Sequence, residues 1–191
     1  MIDFTQPTFW AALVVAPLSP FVWIALARAE YRSRFVSRFF ESREEACAAN
    51  MLLILGMNYV RTSVMKLSLE TQPVMDFEPE VVLTMRIFCC AATIIGMGLV
   101  AFSSLRLGLY GTFLGDYFGI LKAAPVTGAP FSWMQHPMYH GSALAYAGMF
   151  FFNFQPAGLF LAGMVWLGYM ANVASEEQFT AMIYAEAKKD A

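Results

Sequence analysis

The chain has 191 residues, is 59% hydrophobic and carries only 14% charged residues, with a mean hydropathy of +0.55. A soluble domain has about a quarter charged residues; this chain would expose large apolar patches in water, so the composition points to an integral membrane protein, one domain over residues 1–191. A net charge of −2 without a basic block excludes nucleic acid as a partner, because neutralising phosphates takes clustered lysine and arginine.

Four apolar stretches follow one another, at residues 8–28, 45–65, 81–104 and 138–174. Each reaches the ~20 residues a helix needs to cross hydrocarbon. Met1-Ile2-Asp3 lacks the positive start of a cleavable signal peptide, so the first stretch is expected to stay in the mature protein. Pro17 and Pro20 interrupt it and suggest a kinked or re-entrant segment. Cys47, Cys89 and Cys90 all lie in apolar stretches and imply no disulfide framework. Within the third stretch, Arg86 is read as the one cation well inside a span, with its head snorkelling to the interface.

The last stretch is too long for one crossing: as a single helix it would reach ~55 Å, against a hydrocarbon core of ~30 Å. Near its middle "NFQPAG", residues 153–158, has turn chemistry. A helical hairpin is therefore expected, 138–152 and 157–174 and beyond. The expected fold is an all-α membrane bundle of four to five segments, the last pair a hairpin, with no Rossmann domain.

Charge favours five crossings. Arg28, Arg32, Arg34, Arg38 and Arg43 precede the second stretch, and Arg61 and Lys66 are assigned to the loop after it. Arg106 and Lys122 follow the third, and Lys188 and Lys189 end the chain. Five crossings gather nine of the twelve lysines and arginines on one side, which the positive-inside rule makes cytosolic. The ending "KKDA" resembles a dilysine retrieval signal of endoplasmic-reticulum membrane proteins; the plain alternative is a solvated tail.

The polar residues of so apolar a chain carry the chemistry. In "QHPMYHG", residues 135–141, Pro137 suits a first helical position. Free amides and the positive dipole end would then face a carboxylate or phosphate. His136 and Tyr139 can face one ligand; an ordinary interfacial helix start is the alternative. His136 and His140 have metal-ligand spacing, but no third ligand is evident and no metal is expected. In "NVASEEQF", residues 172–179, Asn172, Glu176 and Phe179 share a helical face. Glu176 and Glu177 could hold the amino and hydroxyl groups of a cofactor, or simply end a solvated helix. Gly96-Met97-Gly98 is not a dinucleotide fingerprint, since no strand precedes it; Ala92 and Gly96 have the spacing of close helix packing.

"GTFLGDYFGILK" (111–122), "HPMYHG", "SEEQFTAMIY" and "IIGMGLV" together resemble the phospholipid methyltransferase family, over essentially the whole chain. "HPMYHG" with the acid pair is also similar to the wider isoprenylcysteine carboxyl methyltransferase superfamily. The resemblance implies S-adenosylmethionine-dependent N-methylation of phosphatidylethanolamine, or of its mono- and dimethyl derivatives, to phosphatidylcholine. It implies a multi-pass protein of the endoplasmic reticulum membrane with a cytosolic catalytic face, acting on a bilayer phospholipid without an obligate protein partner. It assigns the methyl donor to Gly96, Met97, Gly98, His136, Pro137, Tyr139, Glu176 and Glu177.

Methyl transfer to an amine needs a free lone pair, yet a primary alkylammonium has a pKa near ~10.4. Asp116, a glutamate or His136 could take the proton, with Tyr117 and Tyr139 beside the reacting atoms. Tyr117, Phe118, Trp133 and Tyr139 could line a cation cage, and Lys122 or Arg106 could hold the lipid phosphate. Residues 111–122 are expected to be interfacial, their aromatics in lipid, with Gly111, Gly115 and Gly119 forming one bare helical stripe. Two other readings stay open: methylation of a prenylated protein carboxylate, and a non-catalytic lipid-binding scaffold.

Overall fold

The computed structural model describes residues 1–123 and 126–189; the Asp190-Ala191 end of the "KKDA" motif lies outside them. Five helices make up the fold: α1 (Pro7–Ser33), α2 (Arg43–Leu69), α3 (Pro79–Thr112), α4 (Pro137–Phe151) and α5 (Pro156–Ala187). Four of them begin on a proline, at Pro7, Pro79, Pro137 and Pro156. The missing N–H costs nothing there and the fixed φ already suits a helix. The fifth, α2, starts with Ser42, whose hydroxyl accepts the Glu45 amide at 3.2 Å.

The helices pack in a series, α3 on α4, α4 on α5, α5 on α1 and α1 on α2. Hydrogen bonds fix the two ends of the bundle. At one end Gln72 Nε2 donates to the Asp3 carbonyl at 2.9 Å, and Gln155 Nε2 donates to the carbonyls of Leu69 and Gln72. The Thr5 and Gln6 side chains donate to the exposed Asp3 carboxylate there and hold it below its ordinary range. At the other end Arg28 Nη2 donates to the Ser175 carbonyl at 2.7 Å, and the Tyr31 hydroxyl to Glu186 at 2.6 Å. The chain therefore traverses the bundle five times, and the 153–158 turn closes the expected hairpin. The basic 34–42 connection, residues 113–123 and 126–136 and the end of α5 share one end.

Three stretches, Pro7–Ser33, Pro79–Phe118 and Pro156–Ala187, are long and apolar enough to cross a membrane. The outer face of α3 carries exposed Leu83, Ile87, Phe88, Ile94 and Leu105, a continuous apolar surface that suits lipid. The core runs between α1, α2, α4 and α5, around Phe9, Ala16, Met65, Leu161 and Val165.

Several expectations change. Residues 7–33 form one helix across Pro17 and Pro20, not a re-entrant pair; Gly168 of α5 lets the backbone of Pro17 approach closely. Residues 111–122 are not one helix. Gly108 breaks α3 with φ 68°. Gly115–Phe118 form a short 3-10 turn between Leu114 at φ 61° and Gly119 at φ 78°, so the three glycines share no stripe. Tyr117 and Phe118 are buried against Ala27, Ala46, Cys47 and Ile183 rather than set in lipid.

Arg61 is also not in a loop. It lies within α2, which continues to Leu69, and is only 1% exposed. Arg86 is thus not the one cation inside a span; its guanidinium sits over Phe152 and Phe154, at 5.3 and 5.6 Å from the ring centres.

Candidate active site

The sites read separately from the sequence meet at the end of the bundle that carries the basic connection. The meeting point is the start of α4 facing the last third of α5. His136 precedes Pro137 in a left-handed conformation, φ 52°, which turns its ring back over the helix. The Tyr139 and His140 amides both donate to the His136 carbonyl, at 3.0 and 3.2 Å. The first turn is thus largely closed on itself, not the open row of donors expected for an anion.

The side chains do the joining instead. The Tyr139 hydroxyl donates to Glu176 Oε2 at 2.5 Å, and His136 Nε2 pairs with Glu177 Oε1 at 3.2 Å. The exposed His136–Glu177 pair adds little stability. The Tyr139–Glu176 bond is part-buried and charge-assisted, and it sets the direction of the carboxylate. Glu176 is also within electrostatic reach of Asp116, Arg28 and Glu177.

The 3-10 turn docks on the same face of α5. Thr180 Oγ1 donates to Asp116 Oδ2 at 3.2 Å. The Tyr117 ring stacks on Phe179, with centroids 5.2 Å apart and planes at 3°. Arg28 lies over Phe179 at 5.0 Å. Among the described residues, buried Arg28 Nε has no hydrogen-bond partner and Tyr117 Oη makes no well-formed hydrogen bond, with Thr180 its near neighbour. Three carboxylates, flat aromatic faces and unpaired donors suit a zwitterionic ligand that carries a cation, amine and hydroxyls.

Other predicted residues lie elsewhere. Gly96 is pressed against α4: a Cβ there would come within 2.5 Å of Ala145 N and the Gly141 carbonyl. Met97 and Gly98 face outward, and nothing lies within 4 Å of a Cβ placed on Gly98. Trp133 is exposed and leans on Phe102, with centroids 6.0 Å apart. Lys122 Nζ donates to the Arg106 carbonyl at 3.3 Å, and its amide accepts no such role but donates to the Tyr184 hydroxyl at 3.1 Å. Among the described residues, no hydrogen bond or ring contact links Trp133, Arg106 or Lys122 to the carboxylates. His140 Nδ1 accepts from Trp166 Nε1 at 3.1 Å, and the Asn172 amide bonds back to Gly168 of its own helix.

Three participants were not anticipated, Arg28, Tyr169 and Thr180, all in contact with the predicted set; Phe179, read on one helical face with Glu176, stacks on Tyr117. Tyr169 stacks on Tyr139 with centroids 4.6 Å apart and planes at 5°. Only its spacing of seven residues, two helical turns, before Glu176 hinted at a shared face.

Residues 84–187 match the phospholipid methyltransferase family. Over 190 residues the chain is 38% identical to the phosphatidyl-N-methylethanolamine N-methyltransferase of Emericella nidulans, covering 99% of this chain and 91% of the relative. It is 38% identical to the phosphatidylethanolamine N-methyltransferase of Homo sapiens, covering 97% and 92%. The Rattus norvegicus protein of that name is 40% identical, covering 96% and 91%. No solved structure shows significant similarity. The start of α4 and the acid pair of α5, which meet in the fold, both fall inside the matched region, and the chain belongs to the phospholipid methyltransferase family.

Proposed function

We propose that this protein transfers methyl groups from S-adenosylmethionine to the headgroup amine of phosphatidylethanolamine and its mono- and dimethyl derivatives, yielding phosphatidylcholine. The observation that carries the reading is the meeting of Tyr139, Glu176, Glu177 and Asp116 at one end of a membrane bundle. The relatives' names supply the acceptor class. S-adenosylmethionine supplies an electrophilic methyl on a sulfonium, and the aromatic and carboxylate surroundings fit its charge.

Each residue then has a task. Glu176, aimed by Tyr139, and Glu177 accept from the amino and hydroxyl groups of the donor. His136 and Pro137 shape the wall at the start of α4. Asp116 would face the lipid amine, accept its proton and free the lone pair for in-line attack on the methyl carbon; the nitrogen–carbon bond would form as the carbon–sulfur bond breaks, its electron pair staying on the sulfur of the departing neutral thioether. Tyr117, stacked on Phe179, presents a face to the ammonium at both ends of the reaction. Phe118 backs that turn, and Lys122, Arg106 and Trp133 form an outer rim where the lipid phosphate is held. Gly96 serves the donor site through its close packing on α4, while Met97 and Gly98 are assigned to the donor by family resemblance alone. We place the catalytic end on the cytosolic side by its basic connection, and the membrane as that of the endoplasmic reticulum by family resemblance. No obligate protein partner is invoked.

The test is incubation of the purified protein with labelled S-adenosylmethionine and each of the three lipids. Label in phosphatidylcholine and its precursors is expected. A folded preparation that labels none of them contradicts the reading.

A further inference from the structure

Arg61 is the largest fully buried side chain, in the interior of the bundle. No carboxylate lies in ion-pair range of it among the described residues. The two hydrogens of its Nη2 are shared among Asn58 Oδ1 at 2.6 Å, the Tyr169 hydroxyl at 2.9 Å and, most distantly, the Tyr146 hydroxyl at 3.2 Å. Its guanidinium carbon lies 5.2, 5.5 and 5.9 Å from the ring centres of Tyr146, Tyr169 and Trp23. Among the described residues, Nε and Nη1 have no hydrogen-bond partner. Packing alone does not account for such a residue, since an apolar side chain of similar volume fills the space without stranding two donors. Charged groups inside membrane bundles generally mark function.

The rings around Arg61 lead to the site. Tyr169, held through its hydroxyl, stacks face to face on Tyr139. Tyr139 in turn lies nearly parallel to His136, at 6.0 Å and 14°. The two far rings of this column carry the contacts to Glu176 and Glu177. A stacked ring can slide or tilt at little cost unless something fixes its partner. The Arg61–Tyr169 hydrogen bond is the fixed point.

We propose that Arg61 is a positioning residue of the methyl-transfer site: by holding the Tyr169 hydroxyl it fixes the face on which Tyr139 stacks, and so aims Tyr139 at Glu176. The proposal rests on the reading that Tyr139 and Glu176 serve the methyl donor. Arg61 touches neither donor nor lipid; its effect is transmitted through two rings.

The test is steady-state kinetics and thermal melting of purified Arg61→Met, Tyr169→Phe, their double variant, Tyr146→Phe, Tyr139→Phe and Glu176→Gln. Arg61→Met and Tyr169→Phe should each raise KM for S-adenosylmethionine about five- to tenfold, with kcat changed less than about threefold, somewhat less than a directly lost charge-assisted hydrogen bond because the effect passes through two rings. The double variant should match the worse single variant, because both remove one contact. Tyr146→Phe removes another partner of Arg61 outside the column; it should lower the melting temperature and leave KM unmoved. Tyr169→Phe keeps the ring, so it decides the question even if Arg61→Met does not fold. An unchanged KM in Tyr169→Phe, or multiplying effects in the double variant, overturns the proposal. Should Tyr139→Phe and Glu176→Gln also leave KM unchanged, the donor-site reading fails as well; a response there with silence at Tyr169 removes only the role of Arg61.

Discussion

The Tyr139 hydroxyl and the Glu176 carboxylate stand 2.5 Å apart across 37 residues of sequence. The hairpin between α4 and α5 makes this possible, returning the chain to the end from which α4 started. Removing the hydroxyl leaves the carboxylate without its partner and free to rotate. Tyr139→Phe should therefore lower kcat/KM for S-adenosylmethionine about tenfold, and Glu176→Gln about tenfold or more. Initial rates at varied donor concentration check both.

Asp116 is held by Thr180, and its neighbour Tyr117 by Phe179. If Asp116 accepts the amine proton, Asp116→Asn keeps the shape and loses the base. Turnover of phosphatidylethanolamine should fall by about 10²–10⁴-fold, the usual contribution of a general base. Thr180→Ala should cost less, since it only loosens the carboxylate. Radiolabel incorporation into lipid at saturating donor measures both; a rate for Asp116→Asn within twofold of the parent assigns the proton to another group.

Two glycines two residues apart separate packing from ligand contact. Gly96 has no room for a methyl group, whereas Gly98 has open space around it. Gly96→Ala should destabilise the protein by about 1–3 kcal/mol through overpacking against α4. Gly98→Ala should leave the melting temperature unchanged. A loss of donor affinity in Gly98→Ala, with stability intact, would then show direct contact with the ligand; equal affinity would place the glycine pair's influence in the helix interface. Melting curves with and without S-adenosylmethionine read both effects.

Gln155 sits at the opposite end of the bundle, buried, and donates to the carbonyls of Leu69 and Gln72. Gln155→Leu strands those acceptors and should cost about 1–3 kcal/mol of stability. Donor KM in the surviving folded protein should stay as in the parent. A shift in KM comparable to that of Tyr139→Phe would mean that the two ends are coupled.

The architecture was legible because few rules govern it. Apolar run length marked the crossings, Pro137 marked the start of α4, and Asn153 to Gly158 marked the hairpin. The meeting of His136 and Tyr139 with the acid pair followed once five crossings placed both at one end. Arg61 was misjudged because charge was taken as the edge of a span. Its partners Tyr146 and Tyr169 come from helices 85 and 108 residues away, and no local pattern announces them. The 111–122 segment was misjudged because a four-residue glycine spacing also suits a helix; the left-handed turns at Leu114 and Gly119 answer to the docking of Tyr117 and Phe118, a tertiary cause. Tyr169 looked like one more aromatic in an apolar run.

The account depends most on the methyl donor sitting between α4 and α5 at the carboxylate end. The direct measurement is a calorimetric titration of S-adenosylmethionine into purified protein, parent beside Glu176→Gln. Saturable binding by the parent, weakened about tenfold or more in a variant of unchanged melting temperature, is the predicted result. Equal affinity in the two proteins would contradict it.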